Sequence, residues 1–153
     1  VNINIIAVGG IKEIFYENAC KEYLKRLSRF GKMSVIEVDE VQGKNSVQDI
    51  QREGMGILKK INKGDYVVAL CIEGAQQSSE QFAEFMQQTA LNGYGSITFI
   101  IGGSDGLSNE VKNSVSKKIS FSKMTFPHQL MRVILLEQIY RGFKILSGES
   151  YHK

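Results

Sequence analysis

Tryptophan is absent from this 153-residue chain, proline occurs once, and cysteine and histidine occur twice each. Cys20 and Cys71 stand far apart, with neither a CxxC spacing nor a Cys/His ligand pattern. That excludes a disulfide framework and a zinc cluster; the two read as reduced core thiols of a cytoplasmic protein, and no metal is expected. No apolar run approaches membrane-spanning length, so no membrane partner is expected. The apolar start, Ile3–Val8, is short and has no basic leader, so it reads as a strand and not as a signal peptide. Repeats, low-complexity tracts and a linker are missing too, which points to one domain over residues 1–153. What remains is ordinary globular material, 42% apolar and 23% charged, in a chain long enough to bury a real core.

The net charge of +3 hides an asymmetry. From Lys117 to Lys153 there are seven Lys/Arg against two acids, whereas residues 1–116 hold twelve against fourteen. The basic segment also contains both histidines, His128 and His152. Two readings stay open on charge alone: a solvated tail, or a contact surface for an anion, nucleic acid included.

Apolar periodicity orders the chain. Ile3–Val8, Tyr66–Ile72 and Ser96–Ile101 are continuous apolar runs that read as buried strands, and Met33–Val38 alternates like a strand with one covered face. Lys12 to Phe30 has helical spacing, with Gly31 expected as its C-terminal cap. Ser46 is expected to cap a helix over about 47–61, weakened by Gly54 and Gly56. Ser78 with Gln81 predicts a capping box for a helix that runs to Leu91 and ends at Asn92-Gly93. A short helix from Asn109 to Ser114 and a last strand, Lys117–Phe121, follow. Alternating strands and helices predict an α/β fold with a mostly parallel sheet and helices on both faces.

The last helix begins at the only proline, Pro127, expected in the first turn where a missing N–H costs nothing. It is apolar nearly all round: Leu130, Ile134 and Ile145 point one way, and Leu136, Ile139 and Phe143 the other. One side suits the sheet, and the other suits a second copy of the chain. His128 and Arg132, four residues apart, share one edge of its first turns. Ahead of it lies Phe121-Ser122-Lys123-Met124-Thr125-Phe126, rich in apolar residues for a loop. It is either core without regular structure or a pocket for a flat aromatic ligand. Gly102 to Gly106 has the G-x-S-x-G form of a nucleophile elbow with Ser104 in the centre, but no Asp follows residue 105 to complete the triad. Glycines at the end of a parallel strand also let a ligand approach the backbone, or simply turn the chain. The end, Tyr151-His152-Lys153, combines a ring, a near-neutral titrating group and a cation, or frays.

The run Ser120 to Arg141 (SFSKMTFPHQLMRVILLEQIYR), with IGGSDGL at Ile101 to Leu107, the final YHK, the opening I-x-A-V-G at Ile5 to Gly9 and SSE-x-FA at Ser78 to Ala83, closely resembles the RlmH family. These are bacterial large-subunit rRNA methyltransferases of the SPOUT class, and the likeness spans essentially the whole chain. It implies a deep C-terminal trefoil knot, a homodimer and S-adenosylmethionine as methyl donor. It also implies a target at N3 of a pseudouridine in helix 69 of 23S rRNA on the assembled ribosome. By position it assigns Leu70, Gly102 and Phe121, Ser122, Lys123, Met124, Thr125 and Phe126 to the donor pocket. It places His128, Arg132, Tyr151 and His152 near the RNA or the reacting base. Gly10 and Ala75 depart from it, each standing where a Lys is common.

On that resemblance, acceptor N3 must lose a proton as it attacks the methyl carbon. His152 is the expected base or orienter and Arg132 the stabiliser of developing charge, with Tyr151 beside them. Lys123, Lys144 and Lys153 would add salt-sensitive RNA affinity. Two rival readings carry no methyl transfer: an RNA- or ribosome-binding module, and a serine hydrolase using Ser104.

Overall fold

A computed structural model describes residues 1–152. Five strands, β1 (Asn2–Val8), β2 (Met33–Val38), β3 (Tyr66–Gln76), β4 (Ser96–Ile101) and β5 (Lys117–Ser120), form one sheet in the order β2-β1-β4-β3-β5, and every pairing is parallel. Five helices accompany them: α1 (Ile14–Leu27), α2 (Ser46–Lys60), α3 (Ser79–Leu91), α4 (Asn109–Ser114) and α5 (His128–Leu146). Because side chains alternate along a strand, β1 serves two cores at once. Ile3, Ile5 and Ala7 join Phe99 of β4 and residues of α1, α3 and α5 on one face; Ile6 and Val8 join Ile100, Ile57 of α2 and Val111 of α4 on the other. Helices therefore cover both faces, as the alternating pattern predicts.

Four local expectations need correction. Asn45, not Ser46, caps α2; its side chain accepts from the amides of Val47 and Gln48, and Ser46 is already helical. The carboxamide oxygen one residue earlier thus takes the two orphan amides. Ser28, not Gly31, closes α1, and Gly31 is extended backbone with φ 158°. Pro127 is the residue before the first turn of α5, with ψ 138°, and does not lie inside the turn. β3 is longer than its apolar run: it reaches Gln76, and its register against β5 slips between Leu70 and Ala75. The capping box at Ser78 and Gln81 is present as predicted, and Gly93, with φ 96°, follows the α3 cap at Asn92.

Gly74 makes the β3 slip possible. A Cβ there would lie 2.5–2.8 Å from backbone atoms of Ile119, closer than any side chain tolerates. The bulged residues 71–74 therefore sit at the end of the sheet, beside the carboxyl ends of β4 and β5.

α5 packs on α1 and α3 through Leu135, Leu136, Ile139 and Tyr140, all buried. Gly142 allows the close approach to α3, where Met86 and Ala83 occupy the space of a side chain. Leu130, Ile134 and Ile145 are half-buried and join neither core cluster. No helix among the described residues is long and apolar enough to cross a membrane.

Candidate active site

A cleft of about 850 Å³ opens where β3, β4 and β5 end, the usual place for a ligand in a parallel sheet. Three segments build it: the β3 bulge, the loop after β4, and the bend that leads from β5 into α5. The loop after β4 folds back on itself through a Gly103–Gly106 bridge, with Gly106 at φ 87°. A Cβ on Gly102 would lie 2.9 Å from the carbonyl of Gly106, so glycine is what lets the two limbs of the loop touch. Ser104 donates to Glu40 at 3.2 Å and has no histidine acceptor, so the hydrolase reading finds no triad.

The bend is ordered by its own serines. Ser120 donates to the Ser122 carbonyl at 2.8 Å, and the Met124 amide donates to the Ser122 hydroxyl at 3.0 Å. Phe121 is pinned edge-on to Phe82 of α3, with ring centroids 6.1 Å apart. Leu70, Gly102, Phe121, Ser122, Met124, Thr125 and Phe126 all line the cleft, as does His128; Lys123 is exposed and does not. Met124 is 74% exposed, an apolar side chain standing free at the rim. Cys71 lines the wall, and burial raises its thiol pKa.

Arg132 is not the open cation that its sequence position invites. It is buried; its guanidinium donates to the Gly9 carbonyl at 2.9 Å and to Glu37 at 2.8 Å, while Nε has no partner. His128 lies nearby, since a Cβ on Gly9 would stand 3.7 Å from its Nε2. The shared edge of the two residues therefore faces the end of β1.

Tyr151 and His152 do not fray, and they do not meet the cleft of their own chain. The Tyr151 hydroxyl donates to Glu137 at 3.3 Å, and its ring lies edge-on to Tyr140 and beneath Arg141. Burial, then Glu137, raises the Tyr151 pKa. His152 places Nε2 2.5 Å from Glu80 and Nδ1 3.2 Å from Arg141. A guanidinium only donates, so Nδ1 accepts and Nε2 carries the hydrogen toward Glu80. The contact holds the Glu80 carboxyl below its ordinary pKa. In this arrangement both ring nitrogens of His152 are engaged. Arg141 lies thirteen residues along α5 from His128, about 20 Å at 1.5 Å per residue. The expected trio Arg132, Tyr151 and His152 is thus divided between two places within one chain. Lys153 lies outside the described residues.

The family model described as "Predicted SPOUT methyltransferase" matches residues 1–152. The chain belongs to the SPOUT methyltransferase family. Proteins named "Ribosomal RNA large subunit methyltransferase H" share its full length. That of Clostridium kluyveri is 50% identical, with all of both chains covered. That of Oenococcus oeni is 48% identical, covering all of this chain and 99% of its own. Membership in this methyltransferase family implies S-adenosylmethionine as methyl source, and the cleft fits it: apolar walls for an adenine, a glycine-rich loop that lets a ligand approach the backbone, and volume for the whole molecule. Among the described residues no group of three or more His, Cys, Asp or Glu is placed to hold a metal ion.

Sequence reasoning missed Glu137, Glu80 and Glu40. Glu137 precedes Arg141 by one helical turn, a spacing that signals a pair. Glu80 and Glu40 carry no such signal, because their partners are remote in the chain.

Proposed function

We propose that this chain, as a single domain, methylates N3 of a pseudouridine in helix 69 of 23S rRNA on the assembled ribosome, in the cytoplasm, drawing the methyl group from S-adenosylmethionine. The full-length identity with proteins named as large-subunit rRNA methyltransferases carries this reading. The cleft at the strand ends supplies a place for the donor. In this reading the C-terminal part of the fold forms the trefoil knot that the family implies.

The working unit in this reading is a homodimer. The α5 stripe of Leu130, Ile134 and Ile145 begins beside the cleft and is only half covered in one chain. A second copy seated there covers it, and its own Tyr151 and His152 approach the cleft that the first copy's tail does not reach. When bound, the donor supplies a methyl carbon made electrophilic by its sulfonium. The bend from Phe121 to Phe126, with Leu70 and Gly102, holds the donor and excludes water. Lys123, on the exposed side of the bend, faces the RNA rather than the donor. His128 at the rim and Lys153 contact RNA. His152 orients the base and, released from Arg141, takes the N3 proton on Nδ1, while Tyr151 stacks beside it. Arg132 acts by fixing the first turns of α5 against Gly9. Positioning of this kind lowers a barrier by up to ~7–11 kcal/mol.

Incubating modification-deficient ribosomes with the protein and isotopically labelled donor, then mapping rRNA by mass, tests the reading. One added methyl on the helix 69 pseudouridine is the expected result. Ribosome binding without any transferred label would reduce the protein to a binding module.

A further inference from the structure

One ion pair stands on the cleft wall apart from the bend and the Gly102 loop. Lys112 Nζ of α4 lies 2.6 Å from Glu73 Oε1 in the β3 bulge, and both residues line the cleft. The Lys112 side chain is 25% exposed and that of Glu73 51%, so the pair stands at the mouth, within reach of an occupant and of water. Both ends are firmly mounted. α4 is capped by Ser108 and anchored by Val111, which is fully buried. Glu73 is presented by the bulge that Gly74 locks against the Ile119 backbone.

The rest of the lining is poor in fixed charge. Among the described lining residues Lys112 is the only Lys or Arg, and Glu73 and Asp105 are the only carboxylates. The occupant in the proposed function carries a permanent sulfonium, a carboxylate and an ammonium. Two carboxylates and one ammonium in the wall complement that set. The carboxylate and ammonium of the donor sit on one carbon, so they can lie antiparallel to a fixed ion pair and satisfy both charges at once.

We propose that the Glu73–Lys112 pair is the seat of the donor's amino-acid head, with Lys112 donating to its carboxylate and Glu73 accepting from its ammonium. This rests on the donor-pocket reading. It adds two charged residues, from the bulge and from α4, to a pocket otherwise lined mostly by apolar, hydroxyl and glycine residues. Adenine and ribose are then left to the Gly102 loop and the bend.

Calorimetry with two nucleosides tests it: S-adenosylhomocysteine, which has the head, and 5′-methylthioadenosine, which keeps adenine, ribose and sulfur but lacks it. Lys112→Met and Glu73→Gln should each weaken S-adenosylhomocysteine about tenfold, a loss of about 1.4 kcal/mol. Methylthioadenosine should stay within about twofold of wild type, as expected for charges it does not meet. Lys112→Arg should restore most of the affinity, and added salt should shrink the wild-type advantage. Thermal melts confirm that the variants are folded. Equal weakening of both nucleosides, or of neither, overturns the head-group assignment while leaving the pocket intact. A wild-type protein that binds neither nucleoside overturns the donor pocket itself.

Discussion

Replacing Arg132 by Met separates a structural arginine from a chemical one. The substitution keeps the length of the buried stem and removes the guanidinium. Its bond to the Gly9 carbonyl is buried and charge-assisted, a class that contributes about 1.5–3 kcal/mol. Its bond to Glu37 contributes only about 0–1 kcal/mol, because the Glu37 side chain is half exposed and water replaces the lost partner. Against these losses stands the unpartnered Nε, a buried donor whose removal returns about 1 kcal/mol. The net expectation is a loss of roughly 2 kcal/mol, or about 4–8 °C in Tm for a domain of this size. Arg132→Lys can keep one of the two bonds and should fall between. Urea and thermal unfolding measure the stability, and single-turnover methylation well below Tm measures the chemistry. Because the side chain points to Gly9 and Glu37, transfer at low temperature should drop only a few-fold. An unchanged Tm with transfer reduced a hundredfold would show that the guanidinium acts on the RNA, and the positional role would be wrong.

Gly74→Ala should break the end of the β3–β5 pairing, since its Cβ would press within 2.8 Å of the Ile119 backbone; a lowered Tm and lost donor binding in the same melt and titration would show it, and wild-type behaviour would refute the lock. Glu53→Gln tests a buried carboxylate. Burial, and then nearby Glu40, Asp105 and Asp49, raise the Glu53 pKa above its ordinary value, partly offset by the Val41 amide that it accepts. The folded state then holds the proton more tightly than the unfolded chain, so wild-type stability falls as pH rises from about 4.5 through the raised value. The glutamine should therefore be the more stable protein at neutral pH and lose that advantage below about pH 4.5, as read from urea midpoints across pH.

Much of this architecture was legible before any coordinates. Strand runs and helical spacings fall where the elements are, because period and burial are local properties of the chain. The cleft-lining bend was legible for the same reason: apolar residues without a periodic partner need another use. What escaped was decided by remote partners. Nothing near Arg132 tells that its charge turns inward to Gly9, more than a hundred positions away. The β3 extension depends on the Ile119 backbone, which no pattern around Gly74 announces. Tyr151 and His152 look like a loose end until Glu137, Arg141 and Glu80 are placed around them. The cap of α2 slipped by one residue because Asn45 and Ser46 are both competent, and only backbone geometry chooses.

The outer strand β5 is four residues long and carries Lys117 and Lys118. A sheet margin is an invitation to foreign strands, which lengthen it amide by amide into aggregates. Here the invitation is brief and positively charged, and the Lys117 ammonium already rests over the Phe85 ring, 4.5 Å from its centre. At this margin a short, charged strand works against growth into fibrils.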